Sequence, residues 1–135
     1  MLLATTALLI NMAVQLPNEL ATITKPSDVL KGTWQIDLTP NDTTDSNFAT
    51  MTIESIDDSQ FFGEFYRTGV PIQKGQLNIS NGKVFGALIS ADGSGQYASS
   101  FQYDNGKLHG TTHALDRQFL AVWIATKQEQ PGEIE

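Results

Sequence analysis

The most informative part of the sequence is residues 83–127, which read KVFGALISADGSGQYASSFQYDNGKLHGTTHALDRQFLAVWIATK. Short runs of alternating residues are separated here by turn formers such as Asp92-Gly93-Ser94 and Asn105-Gly106. Alternation with a period of two is typical of β-strands that have one buried face. Asn-Gly pairs favour two-residue hairpins, because both central positions need a positive φ. This region therefore predicts four consecutive antiparallel strands.

The same pattern extends back to Gly32 and predicts four earlier strands. The eight predicted strands are residues 33–38, 48–56, 61–67, 70–79, 83–89, 96–103, 108–115 and 119–127. Most connections are short, so the topology is a meander in which sequence neighbours pair. Pairing of the first and last strands would remove both exposed sheet edges. We therefore predict an all-β fold, an eight-stranded antiparallel up-and-down barrel; an open or two-sheet sandwich is the alternative.

The alternation also predicts which side chains share a face in each strand. The shared sets are Trp34, Ile36 and Leu38; Phe61, Gly63 and Phe65; Phe85, Ala87 and Ile89; Tyr97, Ser99, Phe101 and Tyr103; and Phe119, Ala121, Trp123 and Ala125. The two histidines, His109 and His113, share the opposite face with Thr111, outside the barrel. They are ~13 Å apart along a strand and cannot chelate one metal ion.

Composition excludes several classes of function. The chain has 135 residues with 8 Lys+Arg against 15 Asp+Glu, a formal charge of −7, and it contains no cysteine. Affinity for nucleic acids comes mainly from Lys and Arg, so a nucleic-acid partner is not expected. Disulfides, thiol nucleophiles and cysteine metal sites are impossible. We predict no cofactor and no metal site.

The chain divides into an apolar signal-like segment, arm and linker (1–31), a β-barrel domain (32–127) and a polar tail (128–135). Residues 1–16 read MLLATTALLINMAVQL, which is too short and too polar for a membrane span. They are either a secretion signal or an arm that packs on the domain or on a neighbouring subunit, which would make a homo-oligomer. A short helical turn is predicted near Pro26. With the signal, the protein would be extracellular or periplasmic.

Three short motifs resemble those of calycin barrels, the group that includes lipocalins, fatty-acid-binding proteins and avidins. Gly32-Thr33-Trp34 resembles their opening Gly-x-Trp, 123–127 (WIATK) is similar to the Trp-x-Ala-Thr-Arg that closes avidins, and 63–66 (GEFY) is similar to the third avidin strand. The resemblance implies that Lys127 packs over Trp34. The broader pattern, including the motif LHGTTH, resembles a group of small exported bacterial barrels.

The biotin-binding residues of avidins are not matched. Where the resemblance would place an Asn, a Ser and a Tyr, this chain has Ile36, Pro40 and Phe65. The chain has only two tryptophans, Trp34 and Trp123, so those that sandwich biotin in the middle strands are missing. Biotin binding is therefore not expected.

The longest and most polar connection, Thr39–Asn47, predicts where a pocket would open. The tight turns at Asn81-Gly82 and Asn105-Gly106 lie at the opposite end of the barrel, so the mouth should lie beside residues 39–47. The candidate ligand-binding residues are Phe65, Arg67, Phe85, Tyr97, Ser99 and Phe101, with Arg67 or Tyr97 holding a polar end. The structural signature of the calycin resemblance consists of Gly32, Trp34, Trp123 and Lys127.

Three functions remain open at this point. The first is a non-enzymatic barrel, exported from the cell, that binds a small, largely apolar ligand at the mouth formed by residues 39–47. The second is a structural or interaction subunit with a filled barrel, whose N-terminal arm packs on a neighbour. The third is a small isomerase or hydrolase that uses His113, which would require that side chain inside the mouth. No catalytic residue is assigned.

Overall fold

The computed structural model describes residues 25–41, 44 and 47–129. One short helix, α1 (Ser27–Leu30), precedes the strands. The strands are β1 (Gly32–Asp37), β2 (Phe48–Asp57), β3 (Gln60–Tyr66), β4 (Gln73–Ser80), β5 (Lys83–Asp92), β6 (Gly95–Asp104), β7 (Lys107–Ala114) and β8 (Phe119–Lys127). The helical turn predicted near Pro26 is therefore present as α1.

The eight strands form one closed antiparallel barrel in sequence order. Strand β1 closes it by pairing with both β2 and β8. The predicted up-and-down barrel is confirmed, and the sandwich alternative is wrong. The predicted hairpins have positive φ values, 55° and 75° at Asn81-Gly82 and 55° and 84° at Asn105-Gly106, as two-residue turns of this kind require.

Alternate side chains of each strand fill the interior. The buried aromatic side chains are Trp34, Phe61, Phe65, Phe101 and Trp123. Rings from different strands contact each other, edge to face for Phe61 and Phe101 with centroids 5.9 Å apart and at a tilt for Phe65 and Trp123 with centroids 6.1 Å apart. The predicted faces of β1, β3, β6 and β8 match the inner surface of the barrel. Burial of this apolar surface is the main stabilising contribution to a domain without disulfides.

The predicted inner face of β5 is wrong. Val84, Gly86 and Leu88 are buried, whereas Phe85 is 38% exposed and lies on the outer wall. The reason lies on the neighbouring strand: a Cβ at Gly86 would overlap the ring of Phe101. The Phe101 ring occupies the space that an inward side chain at position 86 would need, and only glycine leaves it free. Packing between strands therefore fixes the orientation of β5.

Helix α1 covers one end of the barrel beside β1 and β8. The Trp34 indole Nε1–H donates to the carbonyl of Leu30 at 2.9 Å, and Leu30 is fully buried. Lys127 lies over the Trp34 ring, the contact that the calycin resemblance implies. These contacts fix α1 against the closed end, opposite the connection 38–47.

Two predicted segments lie wholly or partly outside the described residues. These are the signal-like segment or arm (1–16) and the tail (128–135), of which residues 128 and 129 are described. The division of the chain at 31 and 127 stays a prediction, although the strands run from Gly32 to Lys127. In the described part of the chain, no helix is both long and apolar enough to cross a membrane.

Candidate functional site

A cavity of about 440 Å³ opens at the mouth, the end of the barrel that carries the connection 38–47. This is the end at which the sequence predicted a pocket, and Thr39 and Asn47 at the two ends of the predicted loop both contribute to the wall. The lining residues are Leu38, Thr39, Asn47, Phe65, Tyr66, Val70, Ser90, Asp92, Tyr97, Thr112, Ala114, Arg117, Phe119, Leu120, Ala121 and Val122. In the part of the chain that the structure describes, the barrel is therefore packed at its closed end and has a cavity at its mouth.

The short pairing of β1 with β8 helps to create this opening. The described register runs from Trp34–Lys127 to Asp37–Ile124 and stops there. Strand β1 ends at Asp37, whereas β8 begins as early as Phe119. The first half of β8 therefore extends beyond β1, and residues of this half form one wall of the cavity together with Leu38.

The deeper wall of the cavity is largely apolar. Phe65 is buried at its base and packs against Trp123, and Val70 and Ala114 are also buried. Phe119 stands at the outer margin and is 57% exposed. Apolar walls of this kind favour an apolar ligand body, because binding removes hydrocarbon surface from water.

A row of three hydrogen-bonded side chains runs from the interior of the barrel to the cavity wall. The Trp123 Nε1–H donates to Thr112 Oγ1 at 2.9 Å, and the same oxygen lies 2.8 Å from Ser99 Oγ. Ser99 is buried, whereas Thr112 lines the cavity. These bonds give the buried indole N–H and the buried hydroxyl groups hydrogen-bond partners within the protein. This part of the cavity wall therefore needs no ligand to hold its side chains in place.

The rim carries a cluster of charged and hydroxyl groups. Arg117 Nη2 donates to the Tyr97 hydroxyl at 3.0 Å, and that hydroxyl donates to Asp92 Oδ1 at 3.3 Å. Asp92 also forms an ion pair with Arg67 at 3.6 Å. Arg117 additionally lies over the Tyr97 ring, 5.8 Å from its centroid. The two arginines are the only ones in the chain, and both lie at this rim.

Asp92 balances only one of these two cations. Its carboxylate pairs with Arg67 and also accepts the backbone N–H of Ser94 at 2.8 Å. Asp116, the neighbour of Arg117, accepts the backbone N–H of Gln96 at 3.1 Å. Among the residues that the structure describes, no carboxylate forms an ion pair with Arg117. The rim can therefore accept an anionic group at the Arg117–Tyr97 pair.

The structure brings together only part of the predicted ligand-binding set. Phe65 and Tyr97 line the cavity. Arg67 lies at the rim with its side chain 56% exposed and paired to Asp92, rather than pointing inward. Ser99 and Phe101 are buried behind the wall. Phe85 lies on the outer surface, so it cannot contact a ligand in this cavity.

Other cavity residues did not stand out in the sequence. Arg117 and Ser90 both line the cavity although neither was selected as a ligand contact, and Ser90 was missed because β5 was predicted with the wrong face inward. Val70 was predicted as the first residue of the fourth strand (70–79), but β4 begins only at Gln73, and Val70 lies in the connection before it. Thr112 could have been selected from the sequence, because it lies opposite Ser99, a predicted ligand contact, in the register of β6 and β7.

The histidines do not contribute to the mouth. Both are exposed on β7 while Leu108, Gly110 and Ala114 face inward, so their predicted outward orientation is confirmed. The condition for an enzyme that uses His113 inside the mouth is therefore not met. The described residues contain no group of three or more His, Asp or Glu side chains arranged to hold a metal ion.

Comparisons with known proteins add little. No protein-family model matches the sequence, and no curated protein matches it. One solved structure, the crystal structure of a point mutant of the fluorescent protein UnaG, has 16% sequence identity, covers 77% of this chain and 99% of that chain, and has a TM-score of 0.40. Similarity at this level does not bear on function.

Proposed function

We propose that this protein is a non-enzymatic barrel that binds one small, largely apolar ligand with an anionic end in the cavity at its mouth. The observation that carries the proposal is the cavity of about 440 Å³, a volume within the range of roughly 300–1,000 Å³ typical of small-molecule sites. The apolar body would lie against Phe65, Val70 and Ala121. The resemblance of the chain's motifs to calycin barrels supports this role.

The anionic end is assigned to the Arg117–Tyr97 pair. Arg117 has no described carboxylate partner, and its guanidinium is held by both the ring and the hydroxyl of Tyr97. A preorganised guanidinium binds carboxylate, sulfate or sulfonate groups through charge-assisted hydrogen bonds. The rim therefore favours an anion over a neutral head group. The alternative of a filled structural barrel has weaker support, because the described residues leave a cavity at the mouth.

Export of the protein remains part of this proposal. It rests on the apolar, uncharged residues 1–16 and on the resemblance to small exported barrels. Fractionation of the source cells, followed by mass spectrometry of the N-terminus, tests it. A full-length chain that still begins at Met1 and stays in the cytosolic fraction would contradict export.

Ligand binding is tested in two steps. Native mass spectrometry of the protein purified from its own source should show a co-purifying small molecule, and its absence would count against the proposal. The ligand-free protein should then bind anilinonaphthalene sulfonate, an apolar anion, at one site per chain. Ala121→Phe, which fills the cavity, should abolish this binding, whereas Gln35→Phe, which adds the same ring on the outer face of β1, should not. Equal binding by both variants would contradict the assigned site.

A further inference from the structure

Strand β5 brings two polar side chains to the cavity at its mouth end. Ser90 and Asp92 lie two positions apart on β5, and both line the cavity. Residues two apart in a strand share a face and are ~7 Å apart along it. Ser90 is the deeper of the two, because β5 ends at Asp92. Neither the apolar body nor the anionic end of the proposed ligand requires a serine at this depth.

The Ser90 hydroxyl has no hydrogen-bond partner among the described residues. The side chain is only 1% exposed. The other buried serine, Ser99, is by contrast bonded to Thr112. No side-chain oxygen or nitrogen of the described residues is both sealed from solvent and unbonded, so the Ser90 hydroxyl must be reached through the cavity that it lines. A buried hydroxyl without a partner is costly, and a hydrogen-bonding group in the cavity would remove that cost.

Asp92 also has an oxygen that can accept a further hydrogen bond. Its Oδ1 accepts the backbone N–H of Ser94 and the hydroxyl of Tyr97. Its Oδ2 lies 3.6 Å from Arg67 Nη2, which is an ion pair but too long for a hydrogen bond. Within the described part of the chain, Oδ2 accepts no other hydrogen bond. An ionised carboxylate can only accept, so this oxygen favours a ligand group that donates.

One ligand hydroxyl can serve both side chains. It would donate to Asp92 Oδ2 and accept from the Ser90 hydroxyl, whereas a ketone oxygen could only accept and an amide N–H could only donate. The Tyr97 hydroxyl is bonded to both Asp92 and Arg117, so the ligand hydroxyl would lie beside the anionic end. We propose that the ligand is a hydroxy acid, an apolar carboxylic acid with a hydroxyl on its second or third carbon. This inference rests on the proposed function, since it uses the same cavity and the same anion site.

The charges at the rim favour a hydroxy acid over a plain acid. A carboxylate held by Arg117 lies close to Asp92, and the two negative charges repel each other. A plain acid meets this repulsion and leaves both Ser90 and Asp92 Oδ2 without a partner. A hydroxyl beside the carboxylate instead forms a charge-assisted hydrogen bond to Asp92. Sites built to bond a hydroxyl discriminate strongly against the analogue that lacks it, because their own polar groups are then left unpaired.

The test compares three ten-carbon acids as competitors of anilinonaphthalene sulfonate in a fluorescence displacement titration of the full chain. One enantiomer of 3-hydroxydecanoate should bind about tenfold more tightly than decanoate. The matched control ligand is 10-hydroxydecanoate, which has the same composition but carries its hydroxyl at the far end of the chain. It should bind no more tightly than decanoate, because its hydroxyl cannot reach β5 while its carboxylate is held by Arg117.

Variants of the two β5 residues assign the preference to them. Ser90→Ala should remove most of the preference for 3-hydroxydecanoate and leave the affinity for decanoate within about twofold. It should also leave the melting temperature unchanged, because it removes a hydroxyl that has no partner in the described chain. Ser100→Ala, the same change on the outer side of β6, should keep the preference. Asp92→Asn should raise the affinity for decanoate and reduce the preference for the hydroxy acid, because it removes a charged acceptor.

The outcomes separate this inference from the proposed function. If decanoate and both enantiomers of 3-hydroxydecanoate displace the probe equally well, the ligand is not recognised as a hydroxy acid, whereas the apolar anion site stands. A preference that survives in Ser90→Ala would overturn the inference in the same way. A protein that binds neither the probe nor any of the three acids would contradict the proposed function and this inference together.

Discussion

The ammonium group of Lys127 lies 5.6 Å from the centroid of the Trp34 indole ring. The same group donates a hydrogen bond to the carbonyl oxygen of Val29 in α1 at 2.9 Å. One side chain thus joins the last strand to the first strand and to the helix at the closed end. In a barrel with no disulfide, this contact secures the junction at which the sheet closes.

Replacing Lys127 tests that role. Lys127→Met should lower the free energy of unfolding by about 1–2 kcal/mol, because it removes the cation–π contact and the charged hydrogen bond while keeping a similar aliphatic length. Lys127→Arg should recover most of the loss. Urea unfolding followed by tryptophan fluorescence measures both. The control is Lys107→Met, in the β6–β7 hairpin, and an equal effect there would argue against the contact.

The indole ring of Trp123 leaves no room for a side chain at Gly110. A Cβ at this position would overlap the indole ring, so Gly110→Ala should destabilise the barrel by about 1–3 kcal/mol through overpacking. Gly93 has no heavy atom within 4 Å of the corresponding Cβ position, so Gly93→Ala should change stability by less than about 0.5 kcal/mol. Thermal unfolding by calorimetry compares them. Equal losses in the two variants would show that Trp123 does not need this space.

The two glycine contacts explain why the sequence predicted the fold better than it predicted the site. Alternation and Asn-Gly turns are local signals, and they were sufficient for the strand order and for closure. The orientation of β5 could not be predicted from local signals, since both of its faces carry apolar residues. The Phe101 ring, which belongs to β6, occupies the space beside Gly86 and thereby turns Phe85 outward.

The rim shows the same limit for functional residues. Tyr97 follows the alternation of β6 and was predicted to line the mouth. Arg117 lies in the turn between β7 and β8, where no periodicity gives the direction of a side chain. Its place in the site depends on a hydrogen bond to Tyr97, twenty positions away in sequence. A contact of this kind is visible only after the strands have been assembled.

Thr112 accepts the hydrogen bond of the Trp123 indole inside the barrel. Thr112→Val keeps the shape of the side chain but leaves that donor and the Ser99 hydroxyl without this partner, so it should cost about 1–3 kcal/mol. Thr111→Val, on the outer side of the same strand, should cost much less. The measurement is chemical unfolding at low protein concentration. The hydrogen-bond account would fail if Thr111→Val were as destabilising as Thr112→Val.

Arg117 should determine the affinity of the cavity for anions. Arg117→Gln removes the cation that has no described carboxylate partner, and we expect it to weaken binding of anilinonaphthalene sulfonate about tenfold or more. Lys107→Gln removes one positive charge at the opposite end of the barrel and should leave the affinity within about twofold. Fluorescence titration provides both values. Equal losses would mean that the probe responds to net charge and not to the rim.

Asp92 should oppose the binding of anions at the same rim. Its carboxylate accepts a hydrogen bond from the Tyr97 hydroxyl at 3.3 Å. An anion bound at the Arg117–Tyr97 pair would therefore lie close to a like charge. Asp92→Asn keeps an acceptor for Tyr97 and for the Ser94 N–H but removes the negative charge. The affinity for the anionic probe should therefore rise roughly three- to tenfold, and more at low salt than at high salt. Asp104→Asn, beside the β6–β7 turn at the closed end, makes the same change in net charge and should have little effect. If Asp92→Asn weakened binding instead, the carboxylate would be a ligand contact, and the cavity would favour a cationic or hydrogen-bond-donating ligand.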